Sequence, residues 1–361
     1  MAIDLNLDSL GYDQFFTTPP DTLPDHHEVG RVTQEWAGIY KVRTASDSFF
    51  AELPGKSHYR ANSRSDLPAV GDWVLVERGA QERGMIRKTY ERKTFLARKL
   101  AGKRISVQPI AANIDYVFII QSADENFNLR RIERYLVAVH NSGAKPIILL
   151  SKSDLADPTF IQEKTAELRT VASDTPVLAY STKTGEGLDM ISQWITYAVT
   201  TCFVGSSGVG KSTLLNTLAG EKLEATKEVR EADAKGRHTT TTRHLVQLDN
   251  GGIIIDTPGM REFGLWESQG GMEETFTDIA ELGKDCRFSD CKHISEPNCA
   301  VKVAVGLNKL DQSRYESYLK LCEHVATMAA QKEVRAALVK KAEFKKMNQN
   351  LRSKLRQSGK K

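Results

Sequence analysis

The sequence predicts a multidomain α/β protein: a small N-terminal OB-type β-barrel, then a mostly parallel sheet covered by helices, then a helical domain built around a cluster of metal-ligating side chains. Three observations predict it. Between Glu28 and about Lys99, short β-rich runs such as "GIYKVRT", "SFFAELPG" and "GDWVLVERG" are separated by Gly, Pro and Asp turns at roughly ten-residue spacing. From about Gln108 the rhythm becomes strand, then helix, repeated, which implies a parallel sheet. Between Cys286 and Cys299, three cysteines and a histidine crowd together.

With 361 residues the chain exceeds what one core usually serves, so two or three domains are expected. Its 40% hydrophobic and 27% charged residues are those of an ordinary soluble protein, and no apolar run approaches the ~20 residues that span a bilayer. The acidic start "MAIDLNLDSLGYDQFF" lacks the basic and apolar regions of a secretory signal. A cytoplasmic protein with no membrane contact is therefore expected. In a reducing compartment, five cysteines argue for metal before disulfide. The net charge of +4 hides an asymmetry: residues 331–361 hold 11 Lys and Arg against 2 Asp and Glu, or +9, which leaves −5 on the first 330. Such an end is either a solvated helix, a disordered tail or a contact for a polyanion.

Residues 1–27 contain "TTPPDTLPD" and read as a flexible arm. Residues 28–105 form the barrel, with an SH3-like barrel as the alternative because turn spacing does not fix strand order. Within 106–268, "IDYVFIIQSA" is a buried strand, "LRRIERYLVAVHNSG" a helix with a glycine stop and "KPIILLSKSD" the next strand. A helix near 158–171 leads to "TPVLAYS", and one near 188–198 leads to "TTCFVGSSG" and the helix opened by Lys211. "HLVQLDN" and "GGIIIDTPG" form a hairpin around Asn250-Gly251. Residues 269–330 are the helical metal-binding domain, and 331–361 a basic tail.

The segment Gly205-Ser206-Ser207-Gly208-Val209-Gly210-Lys211-Ser212 is G-x-x-x-x-G-K-S between an apolar strand and a helical run, the context a phosphate-binding loop requires. Its glycines let successive N–H groups, joined by that of Thr213, face a phosphate at the positive end of a new helix. Lys211 is expected to bridge the β- and γ-phosphates, and Ser212 to give its hydroxyl to Mg²⁺. Asp256 opens D-T-P-G, which supplies a carboxylate to support Mg²⁺ and the Gly259 N–H to sense a γ-phosphate. Ser151-Lys152-Ser153-Asp154 resembles N-K-x-D, in which the carboxylate accepts from both guanine N–H donors and the lysine stem lies along the base. Ser151 stands where that motif has Asn, a departure expected to cost about one hydrogen bond, ~1 kcal/mol. Ser181-Thr182-Lys183 resembles the S-A-K loop that approaches the guanine carbonyl oxygen.

Base recognition thus precedes the phosphate loop, which is the GTPase order rotated: a circularly permuted P-loop GTPase domain binding GTP and GDP. Met260 occupies the position where many GTPases carry a water-orienting glutamine. "GRHTTTTRH" lies where switch I belongs; one of Thr239 to Thr242, with Thr240 chosen, would complete the Mg²⁺ shell, and His238 or Arg237 approach the γ-phosphate. The bland reading of His238 is a solvated loop histidine. Cys286-x₄-Cys291-x-His293-x₅-Cys299 offers four ligands for one closed, structural Zn²⁺ site, against the alternative of unligated thiols. Cys202 and Cys322 read as packing residues.

Together these motifs, over about residues 28–325, resemble the bacterial ribosome small-subunit-dependent GTPase A family. The resemblance implies a slow cytoplasmic GTPase that acts late in maturation of the 30S ribosomal subunit, binds 16S rRNA and is stimulated by that particle. It also implies that His238 orients the attacking water. The chain is expected to act as a monomer. Trp36, Tyr40, Phe49 and Trp73 are either barrel core or stacking surfaces for bases, and Arg83, Arg87, Lys88, Arg92, Lys93, Arg98, Lys99, Lys103 and Arg104 follow as candidate phosphate contacts. An RNA-binding assembly factor whose hydrolysis is incidental is the alternative, and an ATP-dependent enzyme is a third, should the S-K-S-D assignment fail.

Overall fold

The structure, a computed structural model, describes residues 7–13, 15, 23–61, 63–79, 83–99, 107–220, 243–257 and 270–358. Its first strands are β1 (His27–Trp36), β2 (Ile39–Thr44) and β3 (Ser48–Glu52); a short helix α1 (Gly55–Arg60) leads to β4 (Trp73–Arg78) and β5 (Arg83–Thr89). The pairings run β1–β2–β3–β5–β4 and close from β4 back to β1, with β3–β5 the parallel pair. That order, with a helix between β3 and β4, decides for the OB-type barrel over the SH3-like one. Alternation fills it: Val32, Tyr40, Val42, Phe49, Ala51, Val74, Val76 and Ile86 point inward as one core. A hairpin of β6 (Phe95–Lys99) and β7 (Val107–Ala112) follows.

The βα units are β8 (Tyr116–Ser122), α2 (Leu129–Ser142), β9 (Lys145–Ser151), α3 (Pro158–Ala172), β10 (Val177–Tyr180), α4 (Leu188–Ser192), β11 (Thr200–Gly205) and α5 (Lys211–Ala219), then the hairpin β12 (His244–Gln247) and β13 (Ile253–Asp256). Helix α2 starts where Asn128 Oδ1 accepts from the Arg131 amide and stops at Gly143, whose φ of 80° only glycine adopts freely. The sheet order is β10-β9-β8-β11-β13-β12, parallel except for β12. Both faces are apolar, so alternate residues divide between two cores: Val117 and Ile119 pack on the side of α2 and α3, Phe118 and Ile120 on the side of α5. Strand β12 also pairs with β1 of the barrel, Gln34 opposite His244, so one continuous sheet joins the two domains.

Beyond it come α6 (Gly270–Thr275), α7 (Thr277–Gly283), α8 (Ala300–Gly306) and α9 (Gln312–Ser358). Residues 331–358, read from sequence as a basic tail, continue α9 without a break in a helix of 47 residues. Within the expected arm of residues 1–27, the described stretch 7–10 is held against the barrel. Leu7–Leu10 is a 3₁₀ turn packed beside Val29 and Trp73, with Leu10 buried. Gln247 Nε2 donates to Ser9 O at 2.7 Å, and the Arg31 guanidinium donates to Leu10 O. Two apolar side chains and paired carbonyls dock this turn, which the sequence places in a flexible arm.

Candidate functional site

Strand β11 is buried throughout and ends at Gly205, where the chain turns through Gly208 (φ 79°) and Gly210 (φ 96°) into α5. These left-handed angles curl the loop around the α5 N-terminus, as a phosphate cradle needs. Lys211 Nζ donates to Gly205 O at 2.7 Å and to Ser206 O at 2.5 Å. Burial lowers its pKa to about 8.

The two segments expected to read the base meet this loop at the carboxyl edge of the parallel sheet, where open α/β sheets bind ligands. Ser151 is the last residue of β9, and its Oγ donates to Val209 O at 2.7 Å, tying the S-K-S-D segment to the phosphate loop. Lys152 adopts φ 63° and bonds Asp124 Oδ2 at 2.9 Å. Ser153 and Asp154 begin a 3₁₀ turn. Asp154 Oδ1 accepts from Ser181 Oγ at 2.6 Å, and the same Ser181 Oγ accepts from the amides of Lys183 and Thr184 at 3.1 and 3.2 Å, which shapes the Ser181-Thr182-Lys183 loop around the carboxylate. Asp256 ends β13, parallel to β11, and Thr257 Oγ1 donates to Phe203 O at 2.8 Å, so the D-T-P-G strand is fastened beside the loop. The expectations at Arg237, His238, Thr239 to Thr242, Gly259 and Met260 lie outside the described residues.

Motif reading missed Arg131. In sequence it is one more polar residue of α2; in the fold its guanidinium donates to Ser206 Oγ at 2.9 Å. The missed signal is positional, because the first turn of a helix after a parallel strand opens on the carboxyl edge. Two residues on, fully buried Glu133 accepts from Arg314 Nη1 at 3.0 Å and Ser317 Oγ at 2.5 Å, so α2 joins the phosphate loop to α9.

The cysteine cluster is assembled. Cys286 Sγ lies 3.5 Å from His293 Nδ1 and 3.9 Å from Cys299 Sγ, His293 Nδ1 lies 3.4 Å from Cys299 Sγ, and with Cys291 all four ligand atoms fall within 4.8 Å of one another. His293 takes φ 61° to turn its ring inward. Cys202 and Cys322 stand apart from it as packing residues of the α2-side core.

Of the two readings open for the barrel aromatics, core packing holds for three of the four. Tyr40, Phe49 and Trp73 are core residues at 1, 2 and 0% exposure, whereas Trp36 at 56% is open. Among the described basic residues, Arg92 binds buried Asp72 and Ser65 O, Arg87 pairs with Glu77, Lys93 with Asp13 and Arg98 with Gln108. Four of the six basic side chains of that run that are described thus bind the protein's own polar groups. Lys103 and Arg104 lie outside the described residues, and the Lys99 side chain is not among those described.

A family model described as RsgA GTPase matches residues 89–266. The small ribosomal subunit biogenesis GTPase RsgA 1 of Listeria innocua is 41% identical over 97% of this chain and 98% of its own. RsgA 2 of Lactiplantibacillus plantarum is 43% identical over 81% of this chain and 82% of its own. Among solved structures, YjeQ from Thermotoga maritima superposes with a TM-score of 0.61 at 27% identity over 83% of this chain and 99% of that one. YloQ, described as a circularly permuted GTPase, superposes at 0.57 and 27% identity over 84% of this chain and 96% of that one. With the S-K-S-D and Ser181–Lys183 segments preceding the G-x-x-x-x-G-K-S loop on one sheet edge, and a relative matched over 97% of this chain and 98% of its own length, the chain belongs to the RsgA GTPase family.

Proposed function

We infer that this chain is a GTPase of small-ribosomal-subunit biogenesis, hydrolysing GTP to GDP and phosphate on the 30S particle. The observation that carries the reading is Ser151 Oγ on Val209 O together with Ser181 Oγ on Asp154: a base-selecting carboxylate and a phosphate cradle braced as one unit. Asp154 accepts from the two guanine N–H donors that adenine lacks there, and the Ser181–Lys183 loop faces the base carbonyl. Lys211 bridges the β- and γ-phosphates, with the Gly208, Val209, Gly210 and Thr213 amides around them. Ser212, Asp256 and Thr240 would hold Mg²⁺, which would neutralise charge developing on the phosphates. His238 orients the attacking water and the Gly259 N–H senses the γ-phosphate. Turnover is slow until the 30S particle completes the site.

Cys286, Cys291, His293 and Cys299 would hold one structural Zn²⁺. Their separations suit it, since metal–sulfur bonds of about 2.3 Å in a tetrahedron put sulfurs about 3.8 Å apart. The protein acts as a cytoplasmic monomer on 16S rRNA, with open Trp36 and basic α9 supporting the contact with nucleic acid. GTP hydrolysis measured with and without purified 30S particles tests the reading. Stimulation by the particle and preference over ATP are expected; equal rates with both nucleotides and no response to the particle overturn it.

A further inference from the structure

Ser151 donates to a particular carbonyl. The Val209–Gly210 peptide has its carbonyl on Ser151 Oγ at 2.7 Å, and a peptide is planar, so this bond also sets the direction of the Gly210 N–H at its other end. That N–H belongs to the phosphate cradle. An asparagine in this position holds such a peptide with a carboxamide that reaches a second partner as well; a serine is shorter and has one proton to give.

Behind Ser151 stands Tyr180. It ends β10 directly opposite Ser151 in the parallel register, and at 1% exposure it is packed in the α5-side core with Val209 and Leu214. Its hydroxyl lies 4.0 Å from where a β-carbon on Gly210 would sit; no hydrogen bond of it meets full geometry among the described residues, and the side chain within reach of it is Ser151. A buried phenol is rarely left so, because the unmade bond is costly. The nearby group that can use its proton is Ser151 Oγ, whose own proton is already committed to Val209 O.

We propose that Tyr180 is a positioning residue for guanine nucleotides: its hydroxyl donates to Ser151, Ser151 donates to the Val209 carbonyl, and this two-hydroxyl relay replaces the missing asparagine in aiming the Gly210 N–H at the phosphates. The proposal rests on the nucleotide site inferred above. Each hydroxyl polarises the next, so the pair works as a unit.

Calorimetric titration of full-length protein with GDP, together with kcat and KM for GTP, tests it. Tyr180→Phe, which keeps the ring and its packing, is expected to weaken GDP about five-fold, raise KM in parallel and leave kcat within about two-fold. Ser151→Ala is expected to do the same, and the double variant no more than the larger single effect, as coupled residues do. Ser151→Asn alone meets the tyrosine ring and binds worse than wild type; in a Tyr180→Thr background the same asparagine has room, and affinity returns. Fully additive single effects, or a Tyr180→Phe protein with unchanged GDP affinity while Asp154→Asn loses its own, overturn the relay and leave the base site standing. Unchanged GDP affinity in Lys211→Ala and Asp154→Asn as well would remove the site and the relay together.

Discussion

Lys211 illustrates how one side chain's surroundings become a measurable pH dependence. Burial favours its neutral form and brings the ammonium to about 8. Phosphates favour the charged form, so binding raises that pKa again. The sign follows: below pH 8 the lysine is already protonated and affinity is flat, whereas above pH 8 each complex takes up a proton and affinity falls as pH rises. Calorimetry at pH 8.5 in two buffers of different ionisation enthalpy should show this uptake for wild type and not for Lys211→Arg, whose guanidinium stays charged. In the proposed site Asp154 sets the other end of the ligand. Asp154→Asn replaces an acceptor with a donor opposite the guanine amine, so GTP binding should drop a hundredfold or more, on the order of what unmatched polar pairs cost in a built site. A nucleotide carrying xanthine, which has a carbonyl in place of that amine, should bind the variant better than GTP does; competition between the two checks it.

At the scale of elements, α2 carries two connections in one turn. Arg131 touches the phosphate loop through Ser206, and Glu133 is held by Arg314 and Ser317 of α9. Arg314 also binds Asp278 of α7 at 2.6 Å; burial works against its charge, but the carboxylates outweigh that, and its pKa is raised. Removing one member of such a buried set leaves a charge without its partner. Glu133→Leu is expected to destabilise the protein by about 3 kcal/mol, read as a lower urea midpoint. The cysteine cluster fastens the same region: Cys299 and Val301 belong to the core that α2 packs into. Stripping the metal with a chelator should release one Zn²⁺ per chain and loosen α7–α9, detected as faster amide exchange in those helices with β1–β5 protected as before.

Across the whole molecule, the barrel and the GTPase sheet share an edge through β1 and β12, and Arg31 pins the joint. Its guanidinium is buried at 1% exposure and donates to Gly71 O, Thr200 Oγ1 and Asn113 O at 3.2, 2.9 and 2.9 Å, joining barrel, connecting hairpin and the start of the phosphate-loop strand. Burial lowers it to about 10, still charged at neutral pH. The opposite resource is the +9 of residues 331–361, a stretch that α9 carries as far as Ser358. Truncation after Gln331 should weaken binding to 30S particles most at low salt and flatten the slope of log K against log salt, because fewer counterions are released. An unchanged slope would assign the basic end to solvent.

The sequence by itself determined the domain order, the rotated order of GTPase motifs and the cysteine spacing. Each depends on residue type at short separation: glycines at the phosphate loop, a carboxylate at Asp154, four metal ligands between Cys286 and Cys299. Only the tertiary structure decided what lies between distant positions. Strand closure chose the OB-type barrel, and packing consumed Tyr40, Phe49 and Trp73 while leaving Trp36 open. Arg131 became a neighbour of Ser206, Arg92 a partner of buried Asp72, and Leu10 part of a core rather than of a loose arm. The physical reason is that local motifs are specified by backbone angles and side-chain chemistry within a few residues, whereas exposure and long-range pairing depend on which faces are buried when the sheets close, and periodicity does not encode that partner.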